Sequence, residues 1–205
     1  MTFRSNGRST HPGRNPAHQQ RCPPRRAFVG TACLATTLRD QTRVASLTLI
    51  EATPFNLLRR SGDLGLYEQV RAMSDAYARS YGNGERLAAR SVIDFYGGDG
   101  SFDALPSRTR DYIVATTPTN LLDWSSAWSC DVPLAACAGI TTPSLLVRGE
   151  CGHPAVRHVA EVLSDAVCGS SLVTVPGASH FMITTYAADV ARLIREHVAK
   201  VKTLR

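Results

Sequence analysis

The sequence lacks a long hydrophobic run, and its longest apolar stretch, Val44–Ile50, is far too short to cross a membrane. We therefore expect no transmembrane segment and no membrane partner. The six cysteines contain no C-x-x-C pair and no zinc-type spacing. They indicate separate thiols in a reducing, cytoplasmic compartment, without a metal ion. No G-x-G-x-x-G pattern follows a strand, which argues against a dinucleotide, and we expect no cofactor.

Acidic residues are missing from residues 1–29, which hold six arginines. The chain has a formal net charge of +6, and the basic excess lies entirely in this segment. Because the remainder is formally neutral and shows no basic patch interleaved with aromatics, we expect no nucleic-acid binding there. The composition of residues 1–26 predicts disorder, and we assign residues 1–29 to a disordered basic tail. An organelle transit peptide is a second interpretation, but the prolines would interrupt its amphipathic helix.

Beyond this segment, the chain alternates between apolar strands and helices. Short apolar runs predict buried parallel strands at Val44–Ile50, Ser144–Arg148 and Ser171–Val175. A helical segment of about residues 56–139 separates the first strand from the second. This order predicts the α/β class, with a parallel sheet flanked by helices.

Helical spacing divides the inserted segment further. Apolar residues at intervals of four, three and four predict one helix, which Gly82-Asn83-Gly84 ends. The pattern predicts three further helices, at about Glu85–Tyr96, Pro106–Ala115 and Asn120–Trp128. We interpret their apolar and aromatic side chains as helix packing.

A histidine follows the last predicted strand. Pro176-Gly177 predicts a turn after Ser171–Val175, and His180 lies on the loop beyond that turn. Open α/β sheets carry their sites outside the carboxyl ends of the strands. The position of His180 therefore favours a catalytic role over that of an ordinary surface histidine.

Four stretches in order, RVASLTLIEATPFNLL, SVIDFYGGDGSFDALPSRTRDYI, ITTPSLLVRGE and LVTVPGASHFM, carry a family resemblance. From about Gly30 to Val198 the chain resembles the later two-thirds of an α/β-hydrolase with a helical cap. The resemblance implies a partial α/β-hydrolase domain over residues 30–205, with the cap at about 56–139. It also implies a small-molecule substrate, cleaved at an ester or similar bond by a nucleophile, a histidine and an acid, with His180 as the histidine.

Two glutamates compete for the role of the acid, which fixes the imidazole tautomer and stabilises its cationic form. The family commonly has an aspartate in G-x-x-D after the next-to-last strand, but Gly152 occupies that position here. Some members carry the acid at the end of the strand after the nucleophile helix, where Glu51 lies. We favour Glu51 because a carboxylate at a buried strand end needs a partner. Glu150 remains the alternative.

The G-x-S-x-G pattern, which carries the family's nucleophile on a sharp strand-to-helix turn, does not occur in the sequence. The resemblance implies it at about Arg25–Gly30, which reads RRAFVG. If Arg26-Ala27-Phe28-Val29 is encoded CGG GCA TTC GTA, a shift of one base gives Gly-His-Ser-Tyr. We therefore expect residues 1 to about 29 to be an out-of-frame translation of a hydrolase, and this chain to be inactive or weak.

A second hypothesis comes from another functional class. Without a nucleophile, the chain would be a non-catalytic binding or scaffold protein derived from a hydrolase. The sequence indicates neither the substrate nor the oligomeric state.

Overall fold

The computed structural model describes residues 29–203. The disorder predicted for residues 1–26 lies outside the described residues. Val29, the last residue of the predicted tail, belongs instead to the first helix, α1 (Val29–Arg39). The cysteines of the described part form no disulfide bond. None of the helices between residues 29 and 203 is long and apolar enough to cross a membrane.

Three parallel strands form one sheet in the order β1–β2–β3: β1 (Leu47–Ile50), β2 (Ser144–Gly149) and β3 (Ser171–Val175). Leu47 lies opposite Ser144, and Leu145 lies opposite Ser171. The expected parallel sheet is thereby confirmed. β1 is shorter than the predicted Val44–Ile50 because pairing begins where the Leu47 N–H donates to the Pro143 carbonyl, at 2.9 Å.

β2 is the central strand of the three and is buried on both faces. Successive side chains of a strand point to opposite faces. Accordingly, Leu146 belongs to the large core beneath the inserted helices, whereas Leu145 and Val147 pack in a second core with Met182. β3 differs from the expected buried strand, because Ser171 and Thr174 are exposed. It is the outermost described strand on its side of the sheet and has a neighbour on one side only.

The chain between β1 and β2 is helical, as predicted. Its helices are α2 (Asn56–Ser61), α3 (Leu64–Gly82), α4 (Arg90–Gly97), α5 (Ser101–Ala104), α6 (Ser107–Ser129) and α7 (Leu134–Ala138). After β2 follow α8 (Pro154–Ala166), then β3, α9 (Met182–Thr185) and α10 (Ala187–Thr203).

The inserted helices differ from prediction in two places. Residues 85–89 form turns, in which the Ala88 N–H donates to the Glu85 carbonyl, so α4 begins only at Arg90. The two helices predicted around Pro118 form the single helix α6. Proline removes one backbone hydrogen bond, but the hydroxyl of Thr117 donates to the Ile113 carbonyl beside this position.

Aromatic side chains pack α6 against the loop that follows the carboxyl end of β1. The rings of Phe55 and Trp124 are stacked with centroids 5.7 Å apart. The amide of Asn56 donates to the carbonyls of Trp128 and Cys130. These contacts hold the insertion against the same end of the sheet at which Glu51 lies.

Candidate active site

The site residues lie together at the carboxyl ends of the three strands. Glu51 follows β1 directly, Gly149 ends β2, and His180 lies five residues beyond the end of β3 at Val175. Because the strands are parallel, all three positions lie at the same end of the sheet, where the strands have their carboxyl ends. The two residues chosen from the sequence, His180 and Glu51, are in contact there.

Glu51 and His180 form a buried hydrogen-bonded pair. Oε2 of Glu51 lies 3.0 Å from Nδ1 of His180, and Oε1 accepts from the Gly149 N–H at 2.6 Å. Glu51 is 2% exposed, and the His180 side chain 12%. A carboxylate can only accept, so Nδ1 carries the proton. The neutral imidazole therefore has its lone pair on Nε2, the nitrogen that can act as a base.

Glu51 holds its position in a rare backbone conformation. Its φ is 45°, the only positive φ of a non-glycine residue within residues 29–203. Such a conformation costs about 1–3 kcal/mol and persists where surrounding contacts enforce it. Here the Glu51 N–H donates to the Val147 carbonyl at 2.9 Å, and the carboxylate is held at both oxygens.

Glu150, the alternative acid, has a different partner. Its Oε2 accepts from the N–H of Gly177, at 2.8 Å, in the turn after β3. It is exposed. The carboxylate of Glu150 therefore binds the turn that leads to the histidine loop, whereas that of Glu51 binds the histidine itself.

Two glycines make room for this arrangement. A Cβ on Gly149 would lie 2.2 Å from the Ala178 carbonyl oxygen, so only glycine lets the histidine loop pack on the end of β2. A Cβ on Gly152 would lie 3.1 Å from Oε1 of Glu51. Gly152 replaces the expected aspartate, and the carboxylate of Glu51 lies against that position.

Tyr96 covers one face of the imidazole. Its ring is stacked on His180, with centroids 3.9 Å apart and an angle of 13° between the planes. Burial raises the pKa of the Tyr96 hydroxyl well above its usual range, and the nearby charge of Glu51 adds to this effect. Sequence reasoning treated this aromatic as helix packing. The family resemblance included the stretch SVIDFYGG, in which Tyr96 lies, but it did not single out the tyrosine.

A cavity of about 570 Å³ adjoins His180. Residues of α1, β1, α3, α4, α6 and α9 line it together with the histidine loop. Most lining side chains are apolar, and no Asp, Glu, Lys or Arg occurs among its described lining residues. A concave, mainly apolar cavity beside a base is the usual form of a small-molecule site.

No described side chain forms a hydrogen bond with Nε2 of His180. Val29 and Gly30, however, line the same cavity. They end the segment in which the resemblance implies the nucleophile turn. The described residues also contain no group of three His, Cys, Asp or Glu side chains that could hold a metal ion.

The sequence matches no protein-family model and no curated protein. Its fold, however, is similar to solved structures. MGS-M2, an α/β-hydrolase enzyme from a Medee basin deep-sea metagenome library, has a TM-score of 0.64 and 11% identity, over 84% of this chain and 62% of that one. Rv0554 from Mycobacterium tuberculosis has a TM-score of 0.53 and 14% identity, over 85% and 62%.

An N-acyl homoserine lactone degrading enzyme has a TM-score of 0.51 and 16% identity, over 82% of this chain and 63% of its own. The chain thus spans 62–63% of the length of these three structures. The described residues form a partial α/β-hydrolase fold.

Proposed function

From this α/β-hydrolase fold, we propose a hydrolase that cleaves an ester or similar bond in a small molecule by a nucleophile–histidine–acid mechanism. His180 is the base, and Glu51 is the acid that orients it. The observation that carries the proposal is the 3.0 Å contact between Glu51 Oε2 and His180 Nδ1 at the buried edge of the sheet. Neither side chain is needed there for packing alone, since burying a carboxylate has a high desolvation cost.

The chemistry follows from the tautomer. Nε2 takes the proton of a nucleophile as that group attacks the carbonyl carbon, and Glu51 stabilises the imidazolium that forms. The imidazolium then donates this proton to the departing alcohol. Water, deprotonated by the same nitrogen, releases the acid product and restores the nucleophile.

In this chain the reaction is impaired, because the nucleophile is missing from the sequence. The frameshift explanation for residues 1–29 draws support from Gly30. A Cβ on Gly30 would lie 2.9 Å from the Cβ of Ala52, so α1 approaches the end of β1 as closely as glycine allows. If one pyrimidine before codon 30 completes the tyrosine codon, Gly30, read in the given frame, is the last glycine of G-H-S-Y-G.

The gene around codons 26–30 tests the frame, and hydrolysis of a short p-nitrophenyl ester tests the function. We expect the chain as given to hydrolyse the ester near the background rate. A frame-restored chain should turn it over and lose about 10²–10⁴-fold in rate on His180→Ala. Glu51→Gln should also lower the rate strongly, whereas the matched variant Glu150→Gln should keep it. Equal rates for His180→Ala and its parent would overturn the proposal.

A non-catalytic binding protein is the second candidate. It is favoured by the large apolar cavity together with a histidine whose Nε2 has no partner in the described part of the chain. Ligand binding without His180-dependent turnover in the frame-restored chain would select this alternative.

A further inference from the structure

The cavity beside His180 is notable for its lack of charged groups. Its walls are formed by side chains such as Ile50, Val92, Ile113 and Phe181. The described lining includes no side chain of Asp, Glu, Lys or Arg. Moving a charged group out of water into such surroundings is costly unless a partner of opposite charge is present. His180, the one histidine among the described lining residues, is already paired with Glu51, so a charged ligand finds no free partner of opposite charge among the described lining residues.

A neutral polar pair, Tyr77 and Asn120, also lines the cavity. The hydroxyl of Tyr77 donates to Oδ1 of Asn120 at 3.1 Å. Burial raises the pKa of Tyr77 to about 12, so this hydroxyl stays protonated. The oxygen of the Asn120 amide is thereby occupied, and its NH₂ group has no partner among the described residues. It can donate to a neutral acceptor such as a carbonyl or ether oxygen.

We infer that the cavity takes an uncharged, mainly apolar ester, with a second neutral oxygen that accepts from Asn120. This inference rests on the proposed function and names its substrate class. The volume of about 570 Å³ lies in the range of sites for drug-sized molecules. Val29 and Ile183, two exposed apolar residues on the lining, mark an open mouth through which such a ligand enters.

The test is a competition assay with the full chain and the uncharged fluorescent probe N-phenyl-1-naphthylamine. Three competitors share one apolar chain and differ in charge: methyl decanoate, decanoate and decylammonium. We expect methyl decanoate to displace the probe at a concentration about tenfold or more below either charged competitor, equivalent to about 1.4 kcal/mol. Equal displacement by all three, or no saturable probe binding, overturns the inference.

Ile183 and Leu122 offer a matched pair of variants. Both are exposed, to 56% and 57%, but only Ile183 lines the cavity. Ile183→Glu adds a carboxylate at the mouth and should weaken probe binding several-fold. Leu122→Glu adds the same charge elsewhere on the surface and should leave binding unchanged. Equal effects of the two variants contradict the assignment of the probe to this cavity.

Hydrolysis is measured separately, with p-nitrophenyl decanoate and the frame-restored chain. His180→Ala should lower turnover by about 10²–10⁴-fold and keep the preference for the uncharged competitor. Turnover that depends on His180 without charge selectivity contradicts the inference and leaves the proposed function standing. Charge selectivity without such turnover contradicts the proposed function and leaves only the cavity's preference for uncharged ligands standing.

Discussion

The carboxylate of Glu51 lies against Gly152, so closely that a side chain at this position would require the carboxylate to shift. A Cβ built on Gly152 would lie 3.1 Å from Oε1 of Glu51 and 3.3 Å from the Gly149 carbonyl oxygen. Glu51 and Gly152 follow different strands, β1 and β2, and are 101 positions apart in the sequence. The glycine thus explains how a carboxylate from β1 reaches a histidine loop that packs on β2.

Gly152→Ala should destabilise the protein, because the added methyl group presses on a carboxylate that is already held at both oxygens. We expect a loss of about 1–3 kcal/mol in the free energy of unfolding, as for other overpacked sites. Gly82→Ala is the control, since a Cβ there meets nothing within 4 Å. Urea unfolding measures both variants. A Gly152→Ala protein as stable as Gly82→Ala would contradict the close contact.

Two substitutions of Tyr96 distinguish the effect of its ring from the effect of its hydroxyl. Tyr96→Phe keeps the stack on His180, whereas Tyr96→Leu removes it. The carbon-bound ring protons of His180 should show an upfield ring-current shift in the NMR spectra of the parent and Tyr96→Phe. In Tyr96→Leu they should move downfield. The same resonance positions in Phe and Leu variants would show that the 3.9 Å stack is not maintained in solution.

His153 should make stability depend on pH. Burial lowers the pKa of His153 below its ordinary value of 6.5, and its Nδ1 accepts from the Ala155 N–H at the start of α8. The unfolded chain therefore binds a proton at this residue at a higher pH than the folded chain does. This contribution to stability is complete above the unfolded value and declines as the pH falls below it.

His153→Asn removes this titration and keeps a side chain that caps a helix well. The decrease in unfolding free energy between about pH 7.5 and about pH 5.5, on either side of the ordinary histidine pKa, should therefore become smaller. Urea midpoints at the two pH values measure it. An unchanged decrease would assign the pH dependence to other groups.

Several features of this site were predictable from the sequence for definite physical reasons. The strand Ser171–Val175 has the predicted bounds, because an apolar run between turn residues leaves few alternatives. The proximity of Glu51 and His180 followed from the shared edge of parallel strands and from the need of a buried carboxylate for a partner. Their distance of 3.0 Å confirms the proximity; their catalytic role stays a proposal.

Other features depended on contacts that no local pattern encodes. Apolar spacing identified the segment of α4 as helical, but not that Tyr96 would meet a histidine 84 positions later. Pro118 is a helix breaker by local chemistry, yet α6 continues through it. The missing aspartate at Gly152 was visible as an absence. That the glycine makes space for Glu51 could be seen only from the packing of the end of β1 against the loop after β2.

The most direct test of the Glu51–His180 pair is the tautomer of the imidazole, read from a long-range ¹H–¹⁵N spectrum at a pH where it is neutral. His180→Asn identifies the signals. In the parent, Nδ1 should carry the proton. In Glu51→Gln, the Gly149 N–H donates to the amide oxygen, so the NH₂ group faces Nδ1. Because this NH₂ group can only donate, Nδ1 must accept and the proton should move to Nε2. A proton on Nε2 in the parent, or the same tautomer in both proteins, would contradict the account.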